Sequence, residues 1–251
     1  MTRFIAAAAL IAGFVAAPAQ AGAQEKETER VDRTIPFAPG GTLKLKNFSG
    51  DIRITGTSEG QVVIAAVRRA TRERLDAIKL DIQAGDREIA IDANRRESVW
   101  KNRNDNVVET EFDIRVPADT RLDIDAFSSP IQVTGVTGRQ KVKTFSGEIT
   151  VRGAAASLDL HSFSGRVDLQ LVDTTAAPEL QVETFSGDIV AEMPEASSGN
   201  VRFNSFSGGL KSDLPLTLES GDQRNLRARL NNGGAEMRFK TFSGDVRLTR
   251  N

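Results

Sequence analysis

Apolar and polar residues alternate along most of the chain with a period of two, and the alternation breaks at recurring short corners. Leu43 and Leu45, Leu122 and Ile124, Leu158 and Leu160, Leu180 and Val182, and Val201 and Phe203 precede such corners. Ile52 and Ile54, Ile131 and Val133, Ile149 and Val151, and Val167 and Leu169 follow them. Period two predicts strands with one buried face. The apolar phase slips by one across each corner, so both strands of a unit reach one core only if the chain bends there.

The corner is Phe-Ser-Gly, at Phe48, Phe145, Phe163, Phe185, Phe206 and Phe242. A seventh copy, Phe127-Ser128-Ser129, has lost its glycine. Composition alone would give roughly 0.07 copies, so this is a structural repeat. Gly50, Gly147, Gly165, Gly187, Gly208 and Gly244 are expected at φ > 0 in the bend. From Phe127 onward the spacings are 18, 18, 22, 21 and 36 residues. The last reads as two units of the shorter kind, with the middle tripeptide lost. The 79-residue gap from Phe48 to Phe127 has room for four diverged units, or for fewer plus an insertion.

A meander of antiparallel hairpins and a β-solenoid both fit a strand–corner–strand repeat. Equivalent residues at equivalent positions favour stacking. The expected fold is therefore all-β, a parallel single-stranded β-helix with Phe-Ser-Gly corners. Residues 40–251 form it, with diverged coils and a charged insertion over 40–117 and regular coils over 118–251. In the diverged part, Val62–Val67, Leu80–Gln83, Glu88–Asp92 and Val107–Val116 read as strands. Ala70–Lys79 reads as a short outer helix, and Asn94–Asn106 as a polar loop around Trp100. The final repeat starts nine residues before the chain ends, so the last coil is expected to close the stack. Lys240, Arg247 and Arg250 would then protect its edge and keep the protein a monomer, or at most a weak dimer.

Composition narrows the chemistry. Lys and Arg number 33 against 34 Asp and Glu, which supplies no basic face for nucleic acid. There is no Cys and a single His, so thiolate catalysis and a Cys- or His-rich metal site are excluded. Neither a cofactor motif nor a catalytic motif is present, and no catalytic, cofactor-binding or metal-ligating residue is assigned. Thirteen of the fourteen aromatic residues are Phe, one is Trp and none is Tyr.

The Phe ladder admits two readings. Turned inward at the corner, the rings are core. Turned outward, they form a stripe suited to adhesion or dimerisation. The core reading is preferred, because an exported protein with a bare Phe stripe would aggregate. The Thr/Ser row before Phe (Thr144, Ser162, Thr184, Ser205, Thr241) shares the apolar phase and reads as small buried filler. Past Ser-Gly, Glu148, Arg166 and Asp188 alternate in sign and are expected to pair from coil to coil. His161 falls on the outward phase as a surface residue.

Residues 1–21 read as a secretory signal: Arg3, an apolar run from Phe4 to Ala17, then Ala19-Gln20-Ala21, with cleavage between Ala21 and Gly22 or, as second choice, after Ala23. Residues 22–39 are an N-terminal extension. The mature chain is expected to have no transmembrane segment, and to reside in the periplasm or on the cell surface of a bacterium.

The run Phe112-Asp113-Ile114-Arg115-Val116-Pro117, then Leu122-Asp123-Ile124, then the coils Thr184–Ile189 and Thr241–Val246, resembles the bacterial putative-adhesin family of exported β-strand-repeat proteins. The resemblance covers most of residues 40–251. It implies an envelope β-helix of unknown function and no catalytic residues. Its partner would be an envelope protein or a surface glycan. The competing reading is a polysaccharide-active β-helix lyase or hydrolase, which would need carboxylates converging with Arg or Lys on one face.

Overall fold

The computed structural model describes residues 26–96, 107–172 and 178–251. The signal segment, its cleavage site and most of the loop around Trp100 lie outside the described residues. The N-terminal part comprises β1 (Glu27–Pro36), β2 (Thr42–Ser49), β3 (Ile52–Thr57), β4 (Gln61–Ala70), α1 (Arg72–Ala77), β5 (Ile78–Ala84), β6 (Glu88–Arg96) and β7 (Glu109–Pro117). The middle comprises β8 (Arg121–Ser128), β9 (Ile131–Thr134), β10 (Gln140–Ser146), β11 (Ile149–Ala154), β12 (Leu158–Ser164), β13 (Val167–Leu171), β14 (Leu180–Ser186) and β15 (Ile189–Met193). The C-terminal part comprises β16 (Gly199–Ser207), β17 (Leu210–Ser212), β18 (Leu216–Gly221), β19 (Asn225–Leu230), β20 (Glu236–Ser243) and β21 (Val246–Arg250).

These strands form two sheets. In every Phe-Ser-Gly unit, and in the Phe127 unit, the strand before the corner joins one sheet and the strand after it joins the other. From β8 to β15 each unit pairs in parallel with the unit before it, at equivalent residues: Val142 opposes Ile124 and Leu160, and Val151 opposes Val133 and Leu169. The hairpin alternative fails here, since both strands of a unit belong to different sheets. Between the sheets lies one core, built from the alternating residues read in the sequence. Leu43, Leu45, Ile124, Val142, Leu160 and Val182 face Ile52, Ile54, Val133, Val151, Val167 and Ile189.

The C-terminal part departs from a uniform wind. β16 does not pair with β14. It stands one place further out, and β20 fills the gap, parallel to both. In the other sheet β21 likewise fills the place between β15 and β17. Three expectations are corrected. Phe206 and Phe242 are in register with the other rings but in swapped order. The 36-residue gap holds no lost coil, because β18 and β19 form an antiparallel hairpin that covers β16. The last repeat does not close the stack, so Lys240, Arg247 and Arg250 guard no terminal edge. The hairpin turn is fixed by Asp222, whose carboxylate accepts the backbone N–H of Arg224 and of Asn225 at 2.8 and 2.9 Å. Those bonds hold its pKa below the usual carboxylate range.

At the other end, β7 continues beside β3 in parallel, then β4 and β1 add antiparallel strands. β6 continues beside β2, and β5 adds to it antiparallel. The 79-residue gap therefore holds a single further parallel layer plus an insertion. The helix expected over 70–79 is α1, and its Leu75 packs with Ala70, Ile78 and Val108 in a small second core. Arg68 is buried beneath it, bonded to Glu29 and to the carbonyl of Ile78.

Candidate functional site

The strand phase decides where the corner side chains go. In β10, Gln140, Val142 and Thr144 are buried while Phe145 and Ser146 are exposed. β12 and β14 repeat this pattern. The Thr/Ser row is inward, as expected, so the residue after it must be outward. The Phe ladder is therefore not core, which corrects the preferred reading. Phe127, Phe145, Phe163, Phe185 and Phe242 are each 43–46% exposed, and Phe206 at the end of its stack is 65% exposed.

The seven rings form one stack in the order Phe48, Phe127, Phe145, Phe163, Phe185, Phe242, Phe206. Neighbouring centroids are 4.6–4.9 Å apart, and beyond the first pair the planes agree within 6°. That spacing is the strand spacing itself. Each ring covers its neighbours' faces, so the stack presents ring edges to solvent. This mutual shielding keeps about half of each ring from solvent, so the stripe exposes less apolar surface than seven separate rings would.

Two further rows complete a groove of about 880 Å³ along the sheet. Its floor is the small row. Ser162 donates to the Gly147 carbonyl at 3.1 Å, and Thr184 to that of Gly187 at 3.3 Å. In the Phe48 unit the place is taken by Asn47, which donates to the carbonyls of Ser49 and Thr110 at 3.1 and 3.0 Å. The second wall lies two residues before Phe. In stacking order it reads Asp92, Lys46, Asp125, Lys143, His161, Glu183, Lys240 and Asn204. Sequence reading overlooked this row. The signal was present in the spacing, since these residues alternate in sign in chain order too; the structure adds that Lys240 stands beside Glu183, with Asn204 beyond it.

The corner glycines are required by crowding. A Cβ on Gly165 would stand 2.1 Å from the Gly147 carbonyl oxygen, and one on Gly187 2.2 Å from that of Gly165. Gly147 has no positive φ, yet its Cβ would meet the Ser129 carbonyl at 2.2 Å. At Gly147 close approach of successive coils alone excludes a side chain, whereas Gly50, Gly165, Gly187, Gly208 and Gly244 also have the expected positive φ.

The charges past the corner do not pair from coil to coil. Arg166 Nε lies 2.7 Å from Asp168 on its own strand. That bond raises its pKa, with the fields of Glu148 and Asp188 adding to it. Asp51 pairs with Arg53 in the same way at 2.8 Å. Asp188 accepts the Asp245 backbone N–H, and Asp245 accepts that of Gly209, both at 2.9 Å, so these carboxylates tie one corner to the next.

His161 Nε2 lies 2.5 Å from Asp159, and its Nδ1 is 3.7 Å from Glu183. The adjacent Ser162 points inward to its carbonyl partner, so this pair has no hydroxyl beside it to activate. Among the described residues no three His, Asp or Glu side chains are grouped to hold a metal ion, and no helix is long and apolar enough to cross a membrane.

No curated protein matches the chain. Among solved structures, the fold is similar to that of a putative cell adhesion protein from Clostridium sporogenes, at 12% identity and a TM-score of 0.52. The match covers 90% of this chain and 99% of that one. A putative adhesin from Bacteroides fragilis is similar over 88% of this chain and 97% of its own, at 10% identity and a TM-score of 0.38. A comparison with protein families matches residues 26–249 to the family described as Toastrack DUF4097. With nearly all of its described residues inside that match, the chain belongs to the Toastrack DUF4097 family.

Proposed function

We propose that this protein is an exported, non-catalytic component of the bacterial envelope that binds another protein surface through its Phe stripe. In this reading the repeat units are coils of a single-stranded β-helix, and the Phe-Ser-Gly corners exist to display the rings. The observation that carries it is the stack of seven half-exposed Phe rings, roughly 28 Å long at strand spacing. An apolar feature of that length on an otherwise charged face is a contact surface.

The edge-on display supports a protein partner over a surface glycan. Sugars pack on aromatic faces, and here the faces are covered by neighbouring rings. A protein surface can pack aliphatic and aromatic groups against ring edges. The polysaccharide-active alternative is less well supported: among the described residues acids and bases alternate along the groove, and Asp159 and Glu183 stand against His161 and Lys240. Beads coated with the protein test the reading on envelope preparations. Adhesion should survive enzymatic removal of surface glycans, and should be lost on protease treatment or with Phe145→Ser plus Phe163→Ser. Adhesion that follows the glycans, or ignores the Phe changes, would overturn it.

A further inference from the structure

The geometry points to a second copy of this chain as the partner of the Phe stripe, packed face to face and antiparallel about a twofold axis that passes by Phe163. The inference rests on the reading of the stripe as a contact surface and names its occupant. Phe163 is the fourth of seven stacked rings, the midpoint of the row. A twofold axis along the strand direction at that level lays each row against the same row of the second molecule, running the opposite way. Phe48 then faces Phe206, Phe127 faces Phe242, Phe145 faces Phe185, and Phe163 faces itself, so no ring is left uncovered.

The flanking row was free to disagree with this arrangement, and it agrees. With the axis at Phe163, Asp125 meets Lys240, Lys143 meets Glu183, Lys46 meets Asn204, and His161 meets its own copy. A slip of one coil in one direction opposes Lys46 to Lys240 and Asp125 to Glu183. A slip in the other opposes Lys143 to Lys240. Either slip also uncovers a ring. The register that buries the most Phe is thus the one that pairs opposite charges, and like charges oppose its neighbours. One row further out, Asp123 meets Arg238. Asp159 meets its own copy at the axis, with His161 beside it at 2.5 Å. Lys44 meets Arg202 only at the rim, where solvent screens them. Three rows across the stripe cover roughly 28 by 20 Å, about 560 Å², or about two-thirds of the ~800 Å² per partner that a standard interface buries.

The chain has no Cys, so single-cysteine variants are clean probes. The purified protein should sediment as a dimer that Lys143→Glu and Glu183→Lys each weaken at least tenfold. The double exchange Lys143→Glu with Glu183→Lys should restore it, because the two positions meet only across the interface. His161→Cys should crosslink to its own copy with a short bis-maleimide, and Lys46→Cys should not. A dimer indifferent to the charge exchange, or crosslinked at Lys46→Cys, would overturn the register and the proposal. A monomer at all concentrations whose bead adhesion still needs Phe145 and Phe163 would overturn the second copy and leave the contact surface standing. A monomer with no Phe-dependent adhesion, or one that takes up fatty acid along the stripe, would overturn both.

Discussion

The coils from Phe127 to Phe185 and the segment beyond Pro194 carry the same Phe-Ser corner and the same alternation, yet they assemble by different rules. In the first, each unit lies beside the one before it, so every parallel pair is closed over about one repeat length. In the second, the chain steps past a vacant place, folds back through the β18–β19 hairpin, and fills that place with its last two strands. Local pattern is equal in both regions. What differs is the sequence distance of the contacts, and with it the loop entropy that ordering must overcome. The comparison teaches that in-register side chains do not establish the order of coils, since Phe242 and Phe206 keep the regular stacking of the row in exchanged order.

The largest effect should come from deleting residues 235–251. Loss of β20 and β21 removes an interior strand from both sheets. Hydrogen exchange should show residues 199–230 losing protection while 121–171 keep theirs; equal loss in both would mean the coils stand or fall as one unit. Next is Phe239→Ala, a fully buried truncation in the inserted strand, which should cost about 3–5 kcal/mol. Phe163→Ala, outward and half-exposed in the regular region, should cost only about 1 kcal/mol. Denaturant melts at concentrations where the protein is monomeric compare the two directly, and equal losses there would place the stripe in a packed environment within one chain.

Gly187→Ala sits between these, at about 1–3 kcal/mol, because its Cβ would drive two adjacent coils apart. Gly60→Ala, where a Cβ has open space, is the control and should change the melt little.

The smallest effect is electrostatic and belongs to the antiparallel N-terminal strands. Arg69 hydrogen-bonds Glu111 across β4 and β7, and this holds the Glu111 carboxyl below its usual range. A depressed folded pKa gives stability that is present above the unfolded value, near 4, and lost as pH falls through the folded one. The pair is more than a third exposed, so the contribution is at most about 0.5 kcal/mol. Melts at pH 7 and pH 3 should show Glu111→Gln closing that much of the gap; a larger change would mean the pair is better shielded than its exposure indicates.

Period-two alternation around each corner was enough to read the strands, the shared core and the parallel stacking of equivalent residues. The same alternation also held the answer for Phe. If Thr144 and Ser162 face inward, Phe145 and Phe163 must face outward. The preference for core came from weighing a bare ring as a lone apolar group, whereas stacked rings shield one another. The short helix at Arg72–Ala77 was legible from its charge. The β18–β19 hairpin was hidden, because residues 214–230 keep enough alternation to pass for a coil.

Sequence by itself determined the side-chain rows, because strand periodicity is a local property of backbone geometry and of which residues leave water. It determined the corner glycines too: Gly50, Gly165, Gly187, Gly208 and Gly244 have the expected positive φ, and the carbonyl of the neighbouring coil adds a second reason that alone holds at Gly147. Only the tertiary structure decided which coil lies beside which, and hence that Lys240 precedes Asn204 along the groove wall. Strand pairing through backbone hydrogen bonds is nearly indifferent to side-chain identity. The order of coils is therefore set by loop lengths, end caps and the whole core together, and no window of sequence contains it.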